Sequence, residues 1–167
     1  MGPGDILDDG FGRVQELVGE VLGGLGADQL SWQPAPGANP IGWLVWHLSR
    51  VQDSQVSEVA GTDQVWLAGG WSQRLVLPYD PAATGYGQRA EEVAAFRASA
   101  ELLAGYHQAV RQATGRFLAT VSADDLDRVV DRRWDPPVTL AVRLVSILAD
   151  DLQHIGQAAY LKGLRQS

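Results

Sequence analysis

Three histidines and no cysteine stand in this chain of 167 residues, so any metal chemistry it has must rest on imidazole and carboxylate. Asp150 and His154 are four residues apart. On a helix that step puts both side chains on one face, a single turn apart, where they can grip one ion together. Asp151, three residues before His154, is an alternative carboxylate, although the four-residue step stacks the two groups more directly. Gln157 follows His154 by three and can orient it from outside the coordination sphere. His47 lies at the edge of an apolar face formed with Leu44, Leu48 and Val51. If its helix neighbours that of His154, then His47, Asp150 and His154 make three ligands with open positions, the form that catalytic metal sites take. Zinc suits the set; nickel, iron or manganese would also bind, because imidazole and carboxylate select weakly. The competing reading is a solvated polar seam for the pair and a packed core histidine for His47. His107 falls on an inner seam and reads as a packed or cavity-lining histidine, not a ligand.

Four segments of helical periodicity must position these residues, and none alternates as strands do. The first spans about Asp5 to Leu25 and ends at a glycine pair, Gly23-Gly24. After a proline-rich loop, Asn39-Pro40 reads as an N-cap followed by proline at the first helical position, with the second helix running to about Ala60. Residues 61–89 hold Trp66, Trp71 and Tyr79 among glycines and prolines. That is a long crossover with enough aromatic area to be ordered. The third helix is expected from Ala90 to Val121 and the fourth from Val138 to Leu164. On the fourth, Arg143, Ser146, Asp150, Gln153, His154 and Gln157 form a narrow polar arc. Leu140, Val142, Leu144, Val145, Leu148, Leu152, Ile155 and Ala159 are expected to be buried. The fold class is therefore all-α: one domain over 1–167, a four-helix bundle read as up-down with a long ordered crossover between helices two and three.

Composition narrows the function. The chain is 46% hydrophobic, enough for a core, and carries a net charge of -7. Only Arg132 and Arg133 pair as neighbouring cations, so a phosphate backbone finds no footing and nucleic acid is not an expected partner. No apolar run reaches bilayer length, and the acidic, glycine-rich start lacks the regions of a signal peptide. A cytoplasmic protein acting on a small molecule is expected, and a bundle of this size leaves faces through which a homodimer could form.

The segment Gly42-Trp43-Leu44-Val45-Trp46-His47-Leu48, followed by Asp53, resembles the second helix of DinB-like proteins. Asp150-Asp151-Leu152-Gln153-His154-Ile155-Gly156-Gln157 resembles their last helix, whose usual pattern is His-x-x-x-His-x-Gly-Gln. Asp150 stands where many members have histidine, which also makes the set similar to the His, Glu, His ligands of mycothiol-dependent maleylpyruvate isomerases. The resemblance implies a divalent ion on His47, Asp150 and His154. It also implies thiol transfer or isomerisation with a low-molecular-weight thiol such as mycothiol. A bound cation lowers a thiol's pKa, and a cysteine-free chain would have to take that thiol from outside. The same open site could activate water for hydrolysis, or be the vestige of one in a non-catalytic ligand-binding or interaction bundle. A wall above the metal would come from Trp66, Trp71 and Tyr79 for an apolar substrate and Arg74 for an anionic one, but for each of these residues taken singly core packing or surface charge is the favoured reading.

Overall fold

A computed structural model describes residues 2–166. In chain order it contains α1 (Pro3–Leu22), a single turn α2 (Ala27–Leu30), α3 (Ile41–Ala60) and two further single turns, α4 (Val65–Ala68) and α5 (Trp71–Leu75). There follow a short α6 (Ala90–Ala94), α7 (Ala100–Leu118), a 3-10 turn at Asp124–Asp127, strands β1 (Val129–Asp131) and β2 (Val138–Thr139), and α8 (Leu140–Gln166). The four long helices are those the periodicity announces, and the fold is all-α but for the two-stranded ribbon. No helix is long and apolar enough to cross a membrane among the described residues.

The side-chain contacts fix the direction of each helix. His47 near the start of α3 meets His154 near the end of α8, while Val56 and Val59 share a core cluster with Leu140 and Leu144. These two helices are antiparallel. Ser49 bonds His107 and Gln52 bonds Thr114, so α3 and α7 run parallel. Asp8 pairs with Arg111 at 2.8 Å and Gly4 lies against the backbone of Leu118, making α1 and α7 antiparallel. The order is up, down, down, up, in place of a simple alternation. A parallel α3–α7 pair explains why the link between them is long: the chain must return to the end where α3 began.

Sixteen of the twenty residues of α3 are buried, because the bundle covers one side and the crossover the other. Polar groups on such a helix need partners, and the crossover supplies them. Asp53 accepts from the backbone N–H groups of Val65 (2.9 Å) and Trp66 (2.7 Å) and from the Tyr106 hydroxyl (2.8 Å). Arg50 donates to the Ala83 carbonyl and to Gln64, and its guanidinium lies 5.0 Å from the centre of the Trp66 ring. A groove of about 350 Å³, lined by Ser57, Thr114 and Phe117 between α3 and α7, lies beside Asp53.

Several boundaries differ from expectation for local reasons. Pro40 is itself the extended N-cap residue of α3, so the helix opens at Ile41 and not at the proline. The expected third helix is broken over 95–99. Phe96 turns into the core at 0% exposure, and the Ser99 hydroxyl caps a new helix by accepting from Leu102 N–H. The loop before α8 closes as a small antiparallel ribbon with Val129 opposite Thr139. Strands of three and two residues leave no periodic trace in a sequence.

The polar and apolar arcs of α8 also need correction. Val142, Val145 and Leu152, expected in the core, are exposed, as is Ala159. The buried row is Leu140, Leu144, Ile147, Asp151, Ile155, Ala158 and Leu161. Arg143 reaches Asp131 at 3.1 Å and Gln55 at 3.2 Å, while Ser146 bonds back to the Val142 carbonyl. The polar arc is thus several separate devices, and only Asp150, His154 and Gln157 serve one site.

Candidate metal centre

His47, Asp150 and His154 each offer one ligand atom, and these atoms lie within 4.8 Å of one another. Two antiparallel helices bring them together: His47 from the buried side of α3, and the i,i+4 pair from the flank of α8.

Each imidazole is tied back by its Nδ1. The His47 Nδ1 donates to the Thr84 carbonyl at 2.5 Å, and a carbonyl can only accept, so the proton sits on Nδ1 and Nε2 keeps its lone pair. The His154 Nδ1 donates to Gln157 Oε1 at 3.1 Å, leaving its Nε2 3.5 Å from Asp150 Oδ1. Fixing the far nitrogen sets the ring orientation and raises its ability to donate to a cation. Burial pushes the His47 imidazole below its ordinary pKa, so it is neutral, the form that binds metal. His154 is shifted up, chiefly by its hydrogen bond to Asp150.

The donor set fits a divalent ion in another respect. Asp150 Oδ2 is buried with no hydrogen-bond partner, and an unpaired carboxylate oxygen is costly unless a cation completes it. Asp151, the alternative carboxylate, points the other way. It is fully buried in the bundle, neither oxygen has a partner, and burial raises its pKa well above the carboxylate range. It is not among the converging donors.

The crossover does reach the site, but through residues outside those expected from the sequence. Trp43, one turn before His47, stacks on the imidazole with centroids 4.7 Å apart, and the Tyr86 ring meets it edge-on at 5.4 Å. Between Thr84 and Tyr86, Gly85 has φ +102°, and a Cβ there would collide with His47 Nδ1 and touch Trp43. An aromatic flanked by glycines, Gly85-Tyr86-Gly87, is the one signal of this that the sequence carries. The residues weighed as a wall are packed elsewhere, in keeping with the reading favoured for each of them singly. Trp66 is buried and bonds Pro81, Tyr79 packs on Trp46 and Phe96, and Arg74 covers Trp71, which rests on Gly105 and Tyr106. His107 is fully buried against Ser49 Oγ at 3.0 Å, and burial pushes its pKa down to about 4. It is a packed histidine, away from the metal donors.

These two motifs at this geometry invite comparison with known proteins. The model of the DinB superfamily matches residues 11–158. The chain belongs to the DinB superfamily. The three candidate donors thus sit on the scaffold of a family of metal-binding proteins. No curated protein matches. A crystal structure of a conserved protein from Enterococcus faecalis is 30% identical and superposes with a TM-score of 0.91, covering 97% of this chain and 96% of that one.

Gly85 gives a direct test of the loop's hold on the site. Gly85→Ala should lower zinc affinity by about 10-fold, the loss expected when a ligand's orienting partner is displaced. Because Gly85 lies in the crossover and not in one of the long helices, helical circular dichroism should be unchanged. Calorimetric titration with zinc measures the first, and equal affinity in variant and parent would show that Thr84 does not position His47.

Proposed function

We propose that this DinB protein is a metal-dependent enzyme that holds one divalent ion, zinc first among the candidates, on His47, Asp150 and His154. It would transfer a low-molecular-weight thiol to a small-molecule substrate, or isomerise that substrate with the thiol's help. The observation that carries the reading is the convergence of three donors, two of them imidazoles held in place by hydrogen bonds at Nδ1. A divalent ion there supplies a Lewis acid that lowers the pKa of a thiol or water at an open position.

The chain's own residues bind and orient. Thr84 and Gln157 hold the two rings, and Trp43 closes one face of His47 against water. Tyr86, 68% exposed, stands at the rim where a substrate would lie across its ring. No side chain can serve as the thiol, since the chain has no cysteine. The thiol must therefore arrive as a co-substrate, and mycothiol is the form that the resemblance supports.

The test begins with protein purified without a histidine tag and its metal content by plasma mass spectrometry. About one ion per chain is expected from a three-donor site. The loaded protein should then consume mycothiol or glutathione in the presence of an electrophile, and lose this activity on chelation. Ester cleavage without thiol consumption would reassign the site to hydrolysis. Failure to hold zinc, nickel, iron or manganese would leave a non-catalytic bundle.

A further inference from the structure

One turn beyond the metal donors, the groove between α3 and α8 opens into a cavity of about 330 Å³, within the range of roughly 300–1,000 Å³ that small-molecule sites occupy. Leu44, one turn before His47, and Leu161 give it an apolar floor, and both are buried. Gln157 and Tyr160 line it from α8, and the loop over residues 37–39 completes it with Asn39 on its wall. Because α3 and α8 are antiparallel, the step from His47 back to Leu44 and the step from His154 on to Gln157 lead the same way. At the rise of a helix, the cavity lies about 5–10 Å from the donors along the groove.

No residue lining this cavity is charged, in a chain where 20% of residues are. A carboxylate or ammonium placed there would lose its water and gain no countercharge. The polar groups are of one kind. The half-buried Asn39 side chain and the Tyr160 hydroxyl have no partner among the described residues. Gln157 commits its Oε1 to His154 Nδ1 and keeps its amide N–H groups. A carboxamide both donates and accepts, as a hydroxyl does. The Tyr160 ring, 68% exposed, offers a flat apolar face beside them. Two carboxamides and an open aromatic face suit a neutral ring that carries several hydroxyls. The far side of the donors differs, since the Tyr86 hydroxyl there feels the charges of Asp150 and Arg143.

We propose that this cavity holds the body of the thiol co-substrate and selects one that is uncharged and hydroxylated, of the sugar-like kind. This role rests on the thiol-dependent reading of the metal centre. A body seated there leaves its sulfur a short arm's length from an ion on the three donors, with Tyr86 open on the other side for the second reactant. Gln157 belongs to both places, holding the His154 ring with one end of its amide and facing the cavity with the other.

Calorimetric titration of the full chain with S-methylmycothiol and S-methylglutathione tests this, because methylation prevents thiolate coordination and makes the readout independent of metal loading. S-methylmycothiol, which is neutral, should bind at least about 10-fold more tightly than S-methylglutathione, whose carboxylates and ammonium the cavity cannot pair. Tyr160→Ala and Asn39→Leu should each weaken S-methylmycothiol about 3- to 10-fold. Both should leave zinc affinity at the parent's value, since neither residue touches a donor. Equal affinity for the two thioethers, or parent-like binding by either variant, overturns the cavity's role. A chain that holds zinc yet binds neither thioether at millimolar concentration overturns it too, and leaves the reading of the metal centre standing. Binding of S-methylmycothiol that both variants weaken, in a chain that holds no metal, supports the cavity and overturns the enzyme reading instead.

Discussion

Replacing His154 with alanine should lower zinc affinity by more than about 100-fold, beyond the loss of a mere orienting group, while the bundle stays folded. The side chain is half-buried at the flank of α8, where it contacts the neighbouring Asp150 and Gln157 and meets the His47 ring edge-on. An i,i+4 pair of this kind is worth only about 0.5 kcal/mol. Losing one donor of three leaves His47 and Asp150 unable to enclose an ion with useful affinity. His47→Ala should weaken binding as much, although it also empties space between Trp43 and Tyr86 and should cost some stability. Gln157→Ala removes only the hydrogen bond at Nδ1 and should cost about 10-fold. Calorimetric titration and mass-spectrometric metal content read all three. Parent-like binding by both histidine variants would show that any bound ion sits elsewhere.

The candidate donors that converge in the structure are legible in the amino-acid sequence, because the spacing that marks them is local. The i,i+4 spacing of Asp150 and His154 is a property of the helix, whereas His47 among apolar residues reads alone as a packed histidine and becomes a candidate donor only when its helix is placed beside theirs. The choice of Asp150 over Asp151 is legible for the same reason, since a four-residue step leaves both groups on one flank while Asp151 turns into the core. The rest of the site is hidden because tertiary contact supplies it. Thr84, Gly85 and Tyr86 are 37 to 39 residues from His47 in the chain, and no periodicity marks a loop that arrives beside a helix. Bulk is a misleading guide to the substrate wall: Trp66 and Trp71 are the larger aromatics, and larger aromatics are the ones the core takes. On α8 the apolar residues exceed what one buried face can use. A helix that is apolar on most sides cannot say from sequence alone which side faces its own bundle.

Arg50→Met should destabilise the fold by about 3–5 kcal/mol, the cost of breaking a buried ion pair by removing one partner. Arg50 and Asp53 are both 1% exposed and stand 3.6 Å apart. Without the guanidinium, the Asp53 carboxylate keeps its two backbone donors and the Tyr106 hydroxyl but has no countercharge. The Ala83 carbonyl and Gln64 lose a donor as well. Arg74→Met, which removes a cation from the face of the half-buried Trp71, should cost only about 0.5–1 kcal/mol. Urea denaturation separates the two. The effect should also reach the metal centre. Ala83 precedes Thr84, whose carbonyl holds the His47 ring, so Arg50 fixes the stretch of crossover that fixes the ligand. Arg50→Met should therefore open residues 61–89 to limited proteolysis and weaken zinc binding under conditions where the bundle remains folded. If the variant were as stable as the parent and bound zinc as tightly, the brace and the site would be independent. The crossover would then owe its place to its buried aromatics alone.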